Sequence, residues 1–223
     1  LGPLVHRYYV AEASLSSATT AHAARMADDI RAAYFRRLYE LPWLDAETRR
    51  TALAKASALT IHVASSASAQ DLAQQYADLP VSHDSAQNAW HAGAHAMRHA
   101  LSELGTSPYH ARSGPWTAAQ ATYLPAHNEL DIGAGLLRQP VLDTAAPMYL
   151  RFGSLGSLLA RDMSQALDGT CGQHYDAYGT KRDWWSNATA QAFAQLETCL
   201  AQQGRDAHEA VADDAGLAHS YRA

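Results

Sequence analysis

Three polar residues on one predicted helix have the spacing of a metal site. Arg161, Asp162 and Gln165 lie at positions i, i+1 and i+4 of a segment in which Gly153 and Gly156 precede apolar residues at helical spacing. In His-Glu-x-x-His the same spacing places two zinc-binding imidazoles and a catalytic carboxylate together. Arginine stays protonated and has no lone pair for a cation, and a carboxamide is a poor zinc ligand. Taken alone, the segment therefore indicates a buried structural helix.

A second candidate metal site lies on the helix predicted over 85–104. This helix carries His91, His95 and His99 at intervals of four residues, on one face. Two imidazoles one turn apart can share a zinc or nickel ion, whereas the third lies a further turn away. The chain contains 12 histidines, so a solvated helix face explains the pattern as well.

The composition is that of a globular protein without a nucleic-acid-binding surface. Of 223 residues, 48% are hydrophobic and 17% charged, with a formal net charge of -5. A pI near 6.2 provides no basic surface for a nucleic acid. No apolar run approaches the roughly 20 residues of a membrane-spanning helix, and no charged start followed by an apolar stretch marks a signal peptide. Because the sequence starts at Leu1, we expect a processed product or a fragment.

The use of lysine and cysteine bears on the source and the redox compartment. Lys55 and Lys181 are the only lysines among 17 basic residues, and alanine is abundant, which suggests a bacterial genome of high GC content. The cysteines are Cys171 and Cys199. Two cysteines can form one disulfide in an exported protein, but they can equally be two free thiols.

Hydrophobic periodicity predicts a mainly α-helical protein with one small β-hairpin, an α+β chain. The hairpin is expected over 116–132, with strands at 117–124 and 129–132. Helices are predicted over 5–41 (one helix or two), 46–59, 69–76, 85–104 with Gly105 as C-cap, from about 149 to 168, from the N-cap Asp183 to 200, and from about 206 onward.

Short motifs elsewhere in the chain change the interpretation of the helix that carries Arg161. They are Trp-Leu-Asp-Ala-Glu-Thr-Arg at 43–49, Gln-Ala-Thr-Tyr at 120–123, Gly-Ala-Gly-Leu-Leu at 133–137, Asp-Trp-Trp at 183–185 and His-Glu-Ala-Val-Ala-Asp-Asp-Ala-Gly-Leu at 208–217. In this order and at about these spacings, they resemble segments of the neprilysin/endothelin-converting-enzyme family of zinc metallopeptidases. The resemblance runs from end to end. It implies a thermolysin-like catalytic domain, truncated at both ends, whose zinc site has been dismantled.

The resemblance assigns a former role to each polar residue of the site. Arg161 and Gln165 match the two zinc-binding histidines, and Glu209 matches the third ligand. Asp162 matches the general base, one methylene shorter, and Asp213 matches the aspartate that orients a ligand histidine. Since one carboxylate cannot hold catalytic zinc, the resemblance implies no functional catalytic residue and no bound cofactor. We predict that the Arg161 cation takes the place of the metal and pairs with Glu209 or Asp213.

The resemblance also implies a peptide-binding strand and two portions of the chain. In the family, an edge strand pairs with the substrate backbone, which strand addition allows whatever the side chains are. The matching residues are Gln120, Ala121, Thr122 and Tyr123. Residues 1–115 correspond to a helical scaffold and 116–223 to the degenerate catalytic portion, within one continuous globular unit.

The cellular location of the family's members bears on whether the two cysteines form a disulfide. Its members are secreted or membrane-anchored, so the resemblance favours a disulfide between Cys171 and Cys199. It also favours a periplasmic or extracellular location for this chain.

The favoured functional hypothesis is a catalytically inactive peptidase homologue that binds a peptide or protein. Its partner in a hetero- or homo-oligomer would be an active relative or the remainder of its own polypeptide. The alternative is an active zinc metallopeptidase whose ligands are rearranged or supplied by a partner chain, with His174, His208 or His219 as candidates. A weaker alternative is a metal-binding module at His91 and His95.

Overall fold

The fold is mainly helical with one small sheet, as predicted. It is known from a computed structural model that describes residues 2–12, 15–64, 69–102, 104, 117–203 and 206–223, without the side chains of Ala69 and His208. The helices are α1 (Gly2–Glu12), α2 (Ser17–Glu40), α3 (Ala46–Ala58), α4 (Ala69–Gln75), α5 (Ser85–Ser102), α6 (Met148–Arg151), α7 (Ser157–Ser164), α8 (Asn187–Gln202) and α9 (Ala207–Arg222). The strands are β1 (Thr60–Val63), β2 (Ala121–Leu124) and β3 (Glu129–Ile132). The predicted features at Gly105 and Trp116 lie outside the described residues.

Polar N-caps determine where the first long helices begin. The Ser16 hydroxyl accepts a hydrogen bond from the backbone N–H of Thr19, and this cap separates α1 from α2. The segment 5–41 therefore forms two helices. The Asp45 carboxylate caps α3 in the same way by accepting from the Thr48 N–H at 2.8 Å, as the sequence predicted.

The start of α8 corrects a prediction. The helix begins after Ser186, whose hydroxyl accepts from the Thr189 N–H, and not after Asp183. Ser186 also donates to the Asp45 carboxylate, which ties the N-termini of α3 and α8 together. Asp183 instead contacts the His174 imidazole, so its side chain is used outside the helix.

The sheet has the strand order β1-β3-β2. β2 and β3 form the predicted antiparallel hairpin, although the first strand begins at Ala121 rather than Thr117. β1 pairs with β3 in parallel and was not predicted from the sequence. β2 therefore lies at one edge of the sheet that the described residues form.

A buried core surrounds α2, which packs against α3, α7, α9 and β1. Ile30 and Leu38 of α2 are fully buried, and so are Leu130 in β3 and Leu159 and Met163 in α7. The core thus takes residues from both sides of the proposed division at 115/116. That division itself stays a prediction.

Helix α5 lies at the periphery and contributes no buried residue. Its large apolar side chains are exposed, with Trp90 at 76%, Met97 at 62% and Leu101 at 55%. These residues are spaced at i, i+7 and i+11, which puts them on one side of the helix. None of the helices in the described ranges combines the length and the apolar character that a membrane crossing needs.

Candidate functional site

The residues that match the family's zinc site lie where α7 packs against α9. The segment before α7 is a π-helical turn, Phe152–Gly156, so the long helix predicted from about 149 is α6, this turn and α7 in succession. Asp206 caps α9 through the Glu209 N–H. Because Glu209, Asp213 and Gly216 follow at i, i+4 and i+7, they share the face of α9 that meets α7.

Arg161 of α7 is the centre of an ion-pair network. Its Nε donates to Asp213 Oδ1 at 2.8 Å, and its Nη2 donates to Glu209 Oε2. The predicted pairing of Arg161 with Glu209 or Asp213 is confirmed, and both carboxylates take part. Burial alone would lower the pKa of Arg161, but the hydrogen bonds to Asp213 and Glu209 outweigh it and raise that pKa. The network is only partly shielded, since the side chains of Arg161, Glu209 and Asp213 are 30%, 55% and 51% exposed.

Asp162 lies on the buried side of the same network. Its side chain is 12% exposed, and its Oδ1 is 3.4 Å from both Arg161 Nη1 and Gln165 Nε2. Burial raises the pKa of Asp162 to about 6, although the Arg161 charge acts against the rise, and the Glu209 carboxylate adds to it. A carboxyl group that titrates near neutrality is chemically suited to accept a proton.

The histidines proposed as replacement ligands have other partners. His174 Nδ1 contacts the Asp183 carboxylate. His219 is buried, its Nδ1 lies 3.2 Å from Ser164 Oγ, and its ring meets Tyr34 edge-on at 5.3 Å between centroids. Neither is brought to the Arg161 network. The side chain of His208 lies outside the described part of the structure.

The predicted histidine face of α5 makes a packing contact. The His95 ring stacks on Tyr76 at 5.2 Å between centroids, and its Nε2 lies 2.9 Å from the Gln75 carbonyl oxygen. His95 thereby holds α5 against the end of α4. One of its two ring nitrogens is thus engaged with backbone, whereas His91 is a partly buried neighbour one turn earlier.

The predicted peptide-binding strand is partly a core element. Tyr123 is 4% exposed, and its hydroxyl donates to Asn128 Oδ1 at 3.0 Å, so its side chain points into the protein. Thr122 and Ala121 are partly buried and Gln120 is exposed, with its Nε2 3.4 Å from Thr122 Oγ1. The unpaired side of β2 can therefore offer backbone groups, while Tyr123 contributes packing.

The structure corrects the predicted disulfide. Cys171 and Cys199 are both free and exposed thiols. The two occupy different surroundings: Cys171 follows the end of the α7 region, next to the charges of Asp168 and Lys55, whereas Cys199 lies in α8 with Gln203 Nε2 at 3.8 Å. The expectation rested on the number of cysteines and on the family resemblance, and neither determines the distance between the two thiols.

Comparison with known proteins decides the family. Two sequence profiles, each described as "Peptidase family M13", match residues 1–66 and 120–215. The chain belongs to peptidase family M13. This confirms the resemblance to the neprilysin and endothelin-converting-enzyme group that the motifs indicated.

Curated relatives are far longer than this M13 chain. An endothelin-converting enzyme homolog of Locusta migratoria is 29% identical over 90% of this chain, which covers 30% of that protein. Endothelin-converting enzyme 1 of Homo sapiens is 29% identical over 100% of this chain, again covering 30% of the relative. The chain thus spans about a third of the length of the relatives it matches.

Solved structures confirm the fold. PepO from Lactobacillus rhamnosis HN001 superimposes with a TM-score of 0.84 at 24% identity, over 99% of this chain and 37% of the other. The zinc metalloprotease Zmp1 of Mycobacterium tuberculosis, solved in complex with an inhibitor, gives a TM-score of 0.78 at 22% identity, over 99% of this chain and 36% of the other. At these identities the likeness concerns architecture alone.

The zinc that the family implies does not fit these residues. A zinc ion needs thiolate, imidazole or carboxylate donors, and Arg161 and Gln165 supply none. The carboxylates that remain, Glu209 and Asp213, are turned toward the Arg161 guanidinium. A second cation at this point would be repelled by a group that is always charged.

Two features were missed from the sequence. Lys55 is 1% exposed in the core next to the sheet. His62 on β1 is brought beside Glu129 and Asp131 of β3. Polar and apolar residues alternate in Thr-Ile-His-Val at 60–63 and in Glu-Leu-Asp-Ile at 129–132, and this alternation was the signal for two strands with polar residues on one face.

Proposed function

We propose that this M13 chain is a catalytically inactive peptidase homologue that binds a peptide or protein instead of cleaving it. The observation that carries the proposal is the position of Arg161, whose guanidinium contacts Glu209, Asp213 and Asp162 together. In these ion pairs the guanidinium takes up the carboxylates that a metal ion would otherwise need. A cleavage mechanism of the metallopeptidase type requires three ligands and an activated water, for which this cluster has no counterpart.

Peptide binding is assigned to the outer edge of β2. An extended peptide can add to this edge through main-chain hydrogen bonds, which do not depend on the replaced side chains. The exposed carboxamide of Gln120 lies beside that edge and can bond a peptide backbone group. This supports a binding role that survives the loss of the metal site.

A partner protein is the second part of the proposal. The apolar side of α5 that holds Trp90, Met97 and Leu101 is exposed, and exposed apolar patches of this kind mark interaction surfaces. A partner of the kind expected, an active relative or the rest of the polypeptide, would cover it. We also propose a periplasmic or extracellular location, which the resemblance to secreted and membrane-anchored peptidases supports.

One observation favours the alternative, an active metallopeptidase with rearranged ligands. The pKa of Asp162, raised to about 6 by burial, suits a general base at neutral pH. His174 and His219 are held elsewhere. Such an enzyme would therefore take its imidazoles from His208 or from a partner chain.

The test restores the replaced ligands. We expect the double variant Arg161→His/Gln165→His to bind one more zinc ion per chain than the parent, measured by plasma mass spectrometry after dialysis. Glu209→Gln in the double variant should abolish that additional zinc, since Glu209 would be its third ligand. Gln165→His alone is the matched control and should gain none, because Arg161 still occupies the site.

The parent chain provides the decisive comparison. Glu209→Gln should leave its zinc content unchanged, and the parent should not hydrolyse a quenched peptide library with or without added zinc. A zinc ion in the parent that is lost on Glu209→Gln, together with chelator-sensitive hydrolysis, would overturn the proposal and establish the alternative enzyme.

A further inference from the structure

The small sheet has one apolar and one polar face. Successive side chains of a strand point to opposite sides, so Leu130 and Ile132 of β3 face the core while Glu129 and Asp131 face the other way. In the parallel pair of β1 and β3, His62 is the direct partner of Asp131. His62, Glu129 and Asp131 therefore share the polar face.

These three side chains converge. Donor atoms of His62, Glu129 and Asp131 all lie within 4.8 Å of one another. His62 Nε2 is 3.4 Å from Glu129 Oε1. In a tetrahedral zinc site with bonds near 2.1 Å, neighbouring donor atoms are about 3.4 Å apart. One pair thus already has the separation of two zinc ligands, and the third donor lies within 4.8 Å of both.

The three side chains are largely buried, unlike a cluster of charged residues on the surface. Glu129 and Asp131 are each 3% exposed, and the side chain of His62 is 20% exposed. His62 Nε2 is itself buried and makes no hydrogen bond, although it points toward the Glu129 carboxylate. A buried imidazole nitrogen aimed at two carboxylates is a ligand arrangement that a metal ion would complete.

We propose that His62, Glu129 and Asp131 bind one divalent metal ion, with zinc as the ion that fits best. One imidazole nitrogen and two carboxylate oxygens match the donors that zinc accepts. Calcium requires six to eight oxygen ligands, and magnesium demands octahedral oxygen geometry, so neither matches three donors that include an imidazole. The double charge of the ion would balance the two carboxylates.

The site would connect β1 and β3, the two strands of the sheet that lie farthest apart along the chain. His62 lies on β1, while Glu129 and Asp131 lie on β3, so the bound ion would cross-link the parallel pair. Three protein ligands leave one tetrahedral position for water or for an external ligand. The metal would therefore stabilise the sheet whose other edge, β2, is the proposed peptide-binding strand. No residue is shared with the Arg161 network, so this inference stands apart from the proposed function.

The experiment measures zinc binding by the complete 223-residue chain. Titration calorimetry with zinc chloride should give one site per chain. His62→Gln and Asp131→Asn should each weaken the affinity at least about tenfold, since each removes one of three ligands. His95→Gln and Glu209→Gln are the matched controls and should leave the affinity unchanged, because these residues belong to the α5 face and the Arg161 network.

A spectroscopic measurement needs no variant. Zinc added to the unmutated chain should shift the ring nitrogen resonances of His62 in an ¹⁵N spectrum, and cobalt substituted for zinc should give the visible absorption of a four-coordinate site. Affinity that is unchanged in His62→Gln, or lost in His95→Gln, would overturn the proposal. So would a folded parent chain that binds no zinc.

Discussion

Gly216 of α9 lies directly against the backbone of Arg161 in α7. A methyl group added at Gly216 would come within 2.9 Å of the Arg161 nitrogen and 3.0 Å of its Cα. Backbone atoms cannot move aside as the end of a side chain can. This close approach of the two helices is what brings Glu209 and Asp213 within reach of the Arg161 guanidinium.

Gly216→Ala should therefore force α7 and α9 apart. We expect it to lower the free energy of unfolding by about 1–2 kcal/mol, since overpacking outweighs the better helix propensity of alanine. Gly93→Ala is the matched control: a Cβ at Gly93 meets nothing within 4 Å, so this change in an exposed helix should raise stability by about 0.5–1 kcal/mol. Urea unfolding followed by circular dichroism measures both, and equal effects would contradict the close packing.

The Arg161–Asp213 pair should show a modest, salt-sensitive coupling. Both side chains are partly exposed, so solvent weakens an ion pair that joins Nε and Oδ1 at 2.8 Å. A double-mutant cycle with Arg161→Gln and Asp213→Asn should give a coupling of about 0.5–1 kcal/mol at low ionic strength. In 1 M NaCl it should fall by half or more. A coupling of zero at low salt would show that the pair does not form in solution.

His219 and Asp162 should affect the pH dependence of stability in opposite directions. Burial, aided by Arg37 and Arg222, lowers the pKa of His219 from 6.5 to about 4. The unfolded chain then binds this proton first, so the free energy of unfolding falls as the pH drops from 6.5 to 4. Burial raises the pKa of Asp162 from 3.8 to about 6, so the folded chain binds that proton first and acidification from 6 to 4 adds stability.

Single variants should separate the two effects, which nearly cancel in the parent. His219→Phe keeps an aromatic ring against Tyr34 and should make the chain gain stability on acidification relative to the parent. Asp162→Asn should make it lose stability more steeply, with either difference approaching about 1 kcal/mol per pH unit. Urea unfolding between pH 4 and 7 measures them. Parallel curves for parent and variants would rule out both assignments.

The elements that could be predicted from the sequence are those that local patterns determine, such as a helix cap or a turn between two short strands. The bounds of α3 follow from Asp45 and the helix formers after it, and the hairpin follows from two short strands around a turn. The pairing of Arg161 with α9 was predicted because matched motifs placed both partners. β1 was missed because its alternation spans only four residues directly after a helix, and no pattern along the chain indicates its parallel pairing with β3. The hydrogen bond from Lys55 to the Gly172 carbonyl joins residues 117 apart, which no pattern along the chain indicates.

Lys55 should be a major source of stability. Its Nζ donates to the carbonyl oxygens of Gly172 at 2.7 Å and Tyr175 at 2.6 Å, and it lies 5.4 Å from the Trp184 ring centroid. Lys55→Met would remove the ammonium donor from the Tyr175 carbonyl, while the Gly172 carbonyl keeps the hydrogen bond from Trp184 Nε1 at 2.8 Å. We therefore expect a loss of about 1–3 kcal/mol in the free energy of unfolding. Lys181→Met, at the chain's other and exposed lysine, is the matched control and should change stability by less than about 0.5 kcal/mol.

The pH dependence gives a second, independent measurement of Lys55. Burial lowers its pKa from 10.5 to about 8, against the opposing influence of Asp168 and Asp176. Between these two pH values the unfolded chain binds more protons than the folded chain, so the free energy of unfolding should rise with pH from 8 toward 10.5. Lys55→Met should lack this rise and Lys181→Met should keep it. If all three proteins show the same slope between pH 8 and 9.5, Lys55 is not a buried ammonium in the folded chain.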